Sequence, residues 1–228
     1  AQNLCEELRD YVKELQPDCL VSGRIGYKLG DYREVPDNEI PILTYKGKWE
    51  SPMTLNETWG YSSMDTDWKT PKDVLSKLVN VVGKGGNVLL NIGPDQYGIV
   101  PEKSCEILNE VGKWLDKNGE SIYSSNRKLC FPYENRWGKI TGNDHKLFLH
   151  VFEYPKFPYE ILVTGLKTKI DKVYLLATGE PLVFYQSYEP ARDEYRFRVI
   201  LPAADKVDKD LVVCAEYSGE IDIQELKD

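Results

Sequence analysis

The sequence predicts an α/β region followed by an all-β region, and three observations carry that prediction. Up to about Tyr123, apolar strands alternate with amphipathic helices, the pattern of a parallel sheet covered by helices. From about Arg127 onward, short β-rich runs (KLFLHVFEY, EILVTGL, KVYLLAT, EPLVFYQ, EYRFRVILP and DLVVCAEY) follow at close spacing between turns, as in an antiparallel β-sandwich. The third observation is length: a closed (β/α)8 barrel takes about 250 residues, and roughly 125 precede the sandwich. The first region is therefore either the C-terminal half of a (β/α)8-like barrel or a small open α/β sheet, and periodicity does not choose between them. The division is placed at 1–126 and 127–228.

The elements follow in order. AQNLCEELRDYVKELQPD is already helical, with Leu4, Leu8, Tyr11, Val12 and Leu15 on one face. No capping residue precedes it and there is no initiator Met, so the chain reads as starting inside a larger protein. CLVSGRIG reads as a short apolar strand running into glycine, and GDYREVPDNEIP as a polar loop. KGKWESPMTL has strand character. Thr70, Pro71 and Asp73 supply an N-cap, a first-turn proline and a capping-box acid. The helix they open is expected to bury Val74, Leu75, Leu78, Val79 and Val82 and to stop at Gly85 and Gly86. NVLLNI is a strand expected to be buried on both faces, ending on Asn91. Pro101 opens another helix, with Cys105, Leu108, Val111 and Leu115 on one face and Gly119 at its end. The charge run Asp205–Asp210 reads as a solvated loop before the last strand.

Composition narrows the function. The 228 residues are 41% hydrophobic with a net charge of −8, which argues against a nucleic-acid or anionic-membrane partner. No apolar run approaches the roughly 20 residues of a membrane span. Cys5, Cys19, Cys105, Cys130 and Cys214 form no CxxC pair and read as buried thiols rather than a disulfide framework or zinc site. His145 and His150, the two histidines, read as structural. There is no nucleophile elbow, zincin helix, Walker loop or dinucleotide-binding glycine motif. Asn56-Glu57-Thr58 is formally a glycosylation sequon and is discounted because it lies inside an aromatic cluster.

Carboxylates and aromatics remain. Arg24, Asp31, Tyr32, Glu34, Asp37, Glu39, Trp49, Glu50, Glu57, Trp59 and Tyr61 are gathered in loops or at strand ends. Aromatic faces suit sugar rings, Arg and carboxylates suit hydroxyls, and glycoside cleavage needs two carboxyl groups flanking one bond.

KWESPMTLNETWGY, then DWKTPKDVLSKLVNVVGKGGNVLLNIGPDQYGIVPE and VGKWLDKNGESIY, closely resemble the α-L-fucosidases of glycoside hydrolase family 29. The resemblance covers about residues 1–125, and SGRIGYKLGDYREVPDNEIP looks like a further family segment. It implies a retaining exo-glycosidase that removes terminal α-L-fucose from glycans without metal or cofactor. It also implies an aspartate nucleophile on a barrel strand just before the helix that opens this chain, hence outside it. Arg24 matches a sugar-contacting arginine of the family. Glu39, in DNEIP, matches the general acid/base, with Glu34 as runner-up. Trp49 and Trp59 are pocket or pocket-supporting aromatics. Asn91, at a strand end, would hold neighbouring loops from behind the site. A secreted or periplasmic setting is favoured by the same resemblance. The partners implied are a fucosylated glycan and the missing N-terminal barrel half, with self-association as the substitute, since a half barrel exposes strand edges and an apolar inner face. The alternative is a non-catalytic carbohydrate-binding or structural fragment whose working part is the sandwich, with Tyr185 and Tyr188. A third reading is one piece of a two-chain enzyme.

Overall fold

The structure is a computed structural model that describes residues 1–42, 45–126, 128–203 and 211–225. Its order is α1 (Gln2–Leu15), a 3-10 turn (Gly23–Ile25), β1 (Arg33–Glu34), β2 (Trp49–Thr54), α2 (Pro71–Gly83), β3 (Asn87–Asn91), α3 (Glu102–Asn118) and α4 (Glu120–Tyr123). Strands β4 (Gly138–Gly142), β5 (Lys146–Val151), β6 (Glu160–Thr164), β7 (Ile170–Leu175), β8 (Phe184–Glu189), β9 (Glu194–Ile200) and β10 (Leu211–Tyr217) complete it. An α/β region followed by an all-β region is therefore what the chain adopts. The run Asp205–Asp210 lies outside the described residues.

By its internal contacts the chain forms two compact units, residues 1–68 with 84–104, and residues 69–83 with 105–228. In the first, β1, β2 and β3 form a parallel sheet in that order. The apolar run before it makes a single parallel bridge, Ser22 to Tyr32, instead of the expected strand. Gly23 follows at once, and the Ser22 hydroxyl accepts the Arg24 amide to open the 3-10 turn, so the local polar bond displaces further pairing.

Register sorts the sheet's side chains between two faces. Trp49, Ser51 and Met53 of β2 share one face and are fully buried. The Trp49 ring lies on Gly86, where an added Cβ would sit 2.4 Å from it. The opposite face carries Glu34, Glu50, Pro52, Thr54, Asn87, Leu89 and Asn91. Strand β3 is not buried on both faces as expected: Leu89 is 49% exposed. The apolar stripe of α1 is open as well, with Leu4, Leu8, Tyr11 and Leu15 between 54% and 68% exposed. A polar hold sets that orientation. Lys13 Nζ donates to the Cys19 carbonyl at 2.6 Å and pairs with Asp31 at 2.9 Å.

In the second unit, the capping box at α2 closes reciprocally. The Asp73 amide donates to Thr70 Oγ1 at 3.2 Å, and the Thr70 amide donates to Asp73 Oδ2 at 2.9 Å. Val74, Leu75, Val79 and Val81 are the buried residues of α2, with Leu78 and Val82 half-buried. On α3 the face is turned from the expected one: Ile107 and Val111 are buried while Cys105 is exposed. The sandwich consists of sheets β4-β5-β10-β7 and β6-β9-β8, antiparallel throughout. Between them lies a core that includes Leu147, Leu149, Val163, Val173, Phe197, Val199 and Val213. The first sheet's other face carries Phe148, His150, Val212 and Cys214, with Trp114 packed against it. The cysteines depart from expectation: all five are free, but only Cys214 is buried.

Candidate functional site

Strands β2 and β3 end level with each other at Thr54 and Asn91, and Asn38, in the loop after β1, meets them there; Glu34 closes β1 lower in the sheet, opposite Glu50 near the start of β2. Each end is held by the loop beside it.

At β1, Ser22 organises the cluster. Its hydroxyl accepts the Arg24 amide at 3.2 Å and donates to Glu34 Oε1 at 2.6 Å. Arg24 Nε pairs with the other Glu34 oxygen, and Arg24 Nη2 pairs with Asp37 Oδ1 at 2.6 Å. The Glu34 side chain is 11% exposed and that of Arg24 is 60% exposed, so a largely covered carboxylate anchors a guanidinium that reaches solvent. Charge-assisted bonds at Nε and Nη2 fix the plane of the guanidinium. Glu50 stands opposite Glu34 in the β1–β2 ladder. Burial, reinforced by the Glu34 carboxylate, pushes its carboxyl above the ordinary range, and Arg24 partly opposes the shift.

Glu39 lies in the loop that follows β1. Its amide donates to the Pro36 carbonyl at 3.1 Å, and its own carbonyl accepts Ser51 Oγ at 2.6 Å. Asn38, at φ 60°, accepts the Thr54 amide on Oδ1 at 3.1 Å and donates its own amide to the Pro52 carbonyl at 2.8 Å. The backbone of this loop is thus stitched to β2, while the Glu39 side chain is exposed. Its carboxylate has no ion pair or hydrogen bond among the described residues.

At β3, Asn91 Nδ2 donates to the Trp59 carbonyl at 2.7 Å and to Thr54 Oγ1 at 3.3 Å. The Thr54 hydroxyl lies within reach of Asn56 Oδ1 at 3.0 Å and of the Thr58 carbonyl at 3.2 Å. The loop that carries Trp59, itself 37% exposed, is closed by Asp65. One Asp65 oxygen accepts the Glu57 and Thr58 amides and the Thr58 hydroxyl, at 3.1, 2.9 and 2.8 Å. The Thr58 hydroxyl bond, followed by backbone amides, holds the Asp65 carboxyl below its ordinary range. Asn56 of the sequon is buried.

A cleft of about 570 Å³ opens beside Arg24 and Glu34, walled by Gly23, Gly26, Tyr27, Lys28 and the Lys46–Lys48 turn. Among the described residues, Arg24 and Glu34 share this cleft; Glu39, Trp49, Trp59 and Asn91 do not line it. Trp49 is fully buried and does not line the cleft. The roles of Asp37 and Asp65 were not anticipated from sequence. Asp37 meets Arg24 across 13 residues, and only the folded loop brings them together. Asp65 left a faint signal, an Asp downstream of a Thr in a turn-rich stretch.

The family model described as Alpha-L-fucosidase matches residues 1–120. The α-L-fucosidase of Dictyostelium discoideum is 32% identical over 134 residues, 56% of this chain and 28% of that protein. Among solved structures, α-L-fucosidase isoenzyme 1 from Paenibacillus thiaminolyticus superposes with a TM-score of 0.80 at 32% identity, covering 92% of this chain and 52% of that one. The α-L-fucosidase from Vibrio sp. strain EJY3 gives a TM-score of 0.84 at 30% identity, covering 96% and 39%. The chain thus spans about half or less of the length of these relatives. On the match across residues 1–120, the chain belongs to the α-L-fucosidase family.

Proposed function

We propose that residues 1–126 are the C-terminal half of a (β/α)8-like barrel, that residues 127–228 are its companion sandwich, and that together they serve a retaining exo-α-L-fucosidase. The substrate is a glycan ending in α-L-fucose. The aspartate nucleophile belongs to the other half of the barrel, so the chain is inactive until that half joins it. One observation carries this reading: a parallel sheet in which Asn38, beside Glu39, meets Thr54 at the end of β2 with Asn91 level beside it, while Leu89 of β3 and the apolar stripe of α1 lie exposed. That is the surface half a barrel would present. The fractions of relatives covered, 52% and 39%, agree with it.

In the retaining reaction, one carboxyl protonates the leaving oxygen and the other attacks the sugar, at a separation of about 5 Å. Glu39 takes the acid/base role. Both oxygens of Glu34, the runner-up, are already engaged by Arg24 and Ser22, which suits an anchor for Arg24. The Glu39 carboxylate is free to meet a leaving group. Arg24, with its plane fixed, directs its remaining N–H groups at sugar oxygens. Asn91 holds the Trp59 loop, and Trp49 supports the site from the core beneath it.

The test is complementation. The chain is joined with the upstream barrel half, and hydrolysis of an aryl α-L-fucoside and of α-L-fucosyl fluoride is followed. Glu39→Gln should abolish turnover of a fucoside with a poor leaving group and spare the first step on the fluoride, whose departure needs no proton. Glu34→Gln should instead raise KM by loosening Arg24. If only Glu34→Gln shows the leaving-group dependence, the two glutamates exchange roles. If the joined enzyme releases no fucose, the proposal fails.

A further inference from the structure

We infer that the cleft beside Arg24 seats an anionic group of the glycan, a sulfate ester or a sugar carboxylate, so that the preferred substrates are acidic fucosylated glycans. That the glycan carries fucose rests on the function proposed above; the anion preference rests on the cleft itself.

The chain is acidic, with a formal net charge of −8, yet this cleft is not. Arg24, Lys28, Arg33, Lys46 and Lys48 line it, against two carboxylates, Asp31 and Glu34. Both carboxylates are already balanced. Asp31 accepts the Val21 amide at 2.8 Å and pairs with Lys13 at 2.9 Å, and Glu34 pairs with Arg24. Lys28 and Lys46 have no ion pair or hydrogen bond among the described residues. With Arg24 spent on Glu34 and Asp37, Lys28, Arg33, Lys46 and Lys48 leave the concavity positive, and a concave wall focuses the field on what enters it.

The cleft is also built rather than incidental. Its wall from Gly23 to Gly30 closes by backbone contact: a Cβ on Gly30 would lie 2.5 Å from the Gly23 Cα, and one on Gly23 would lie 2.7 Å from the Tyr32 carbonyl. At the turn between them, Gly26, Tyr27 and Lys28 all take positive φ, at 86°, 51° and 61°. Two successive non-glycine residues in that region are costly and persist where the surroundings dictate them. Their effect is to hold the Tyr27 ring, 53% exposed, and Lys28 on the cleft wall. An aromatic face beside flexible ammonium groups fits a sugar ring that bears a negative charge. About 570 Å³ is room for more than one sugar unit, and all lining residues lie in the first unit of this chain.

The test is titration calorimetry on the 228-residue chain with three glycans on one fucosylated core: neutral Lewis x, the same trisaccharide sulfated on galactose, and the same sialylated on galactose. The acidic glycans should bind roughly tenfold more tightly than the neutral one, and the gap should shrink between about 50 mM and about 500 mM salt. Preference for the sulfated or the sialylated form identifies the source of the anion, and either result supports the inference. Lys28→Glu with Lys46→Glu should remove the preference, while Lys156→Glu in the sandwich leaves it as it was. Equal affinity for all three glycans, no binding of any, or an unchanged preference in the double variant would overturn it. Anion-dependent binding without hydrolysis by the joined enzyme would leave the cleft standing and remove the fucosidase reading. Hydrolysis without anion preference would do the reverse.

Discussion

Acid should unfold this protein through one histidine. His150 lies in β5, fully buried, with Trp114 and Phe152 rings 6.0 and 6.4 Å away. Its proton can be placed. The single hydrogen of the Thr141 hydroxyl goes to the Ser121 carbonyl at 2.7 Å, so Thr141 Oγ1 must accept from His150 Nε2 at 2.9 Å. Nδ1 is then a bare acceptor, buried without a partner. Protonating it would put a charge where nothing answers it, and burial lowers the imidazole pKa from 6.5 to about 3. The unfolded chain takes up that proton as pH falls through 6.5, whereas the folded one resists until about 3. Stability is therefore lost progressively as pH falls below 6.5, and the loss levels off near 3. Linkage converts the gap to about 2 kcal/mol at pH near 5 and about 5 kcal/mol in full. Urea unfolding at about pH 7.5 and about pH 5 measures it, with His150→Phe keeping a ring and removing the titration. The parent should lose about 2 kcal/mol more than the variant over that interval. The difference cancels the exposed His145 and the carboxylates common to both. Equal losses would refute the assignment.

Other consequences are local. Thr70→Ala removes the hydroxyl half of the α2 capping box and should cost about 1 kcal/mol in a urea melt, with Thr70→Ser recovering most of it. Gly86→Ala places a methyl 2.4 Å from the Trp49 ring and should destabilise by about 1–3 kcal/mol, with a visible change in tryptophan emission. Asp65→Ala frees the amides of Glu57 and Thr58, whose hydrogen exchange should quicken while that of the β3 amides stays slow. Unchanged exchange would mean that the Trp59 loop is held by other contacts.

Local chemistry made some of this legible in the sequence and tertiary geometry hid the rest. Thr70, Pro71 and Asp73 announce α2 because a capping box is a four-residue affair, and they form it. Most of the β-rich runs after Arg127 are strands, because short stretches of β-branched and aromatic residues between turns leave little else to form. The α3 face was misjudged because Ile107 and Leu108 are adjacent apolar residues on a helix and either could have led the buried stripe. Ile107 does, and Cys105 turns outward. Strand β3 reads as doubly buried from NVLL alone, since sequence shows what could be covered and not what covers it. At the site, Arg24 and the two glutamates were visible as residue types beside turn signals. Which glutamate holds Arg24 was not, because Ser22 Oγ decides it from 12 residues away. The cationic cleft was likewise hidden, its lysines being scattered among loops of an acidic chain.

We propose that these 228 residues carry the acid/base side of a fucosidase site without its nucleophile. The most direct test is hydrolysis of an aryl α-L-fucoside by the purified chain, with the intact mass recorded on the same sample. A sample whose mass is 26.2 kDa should give no turnover, and turnover should appear once the upstream half is supplied. Fucose release at that mass alone would contradict it and place a second catalytic carboxylate within this chain.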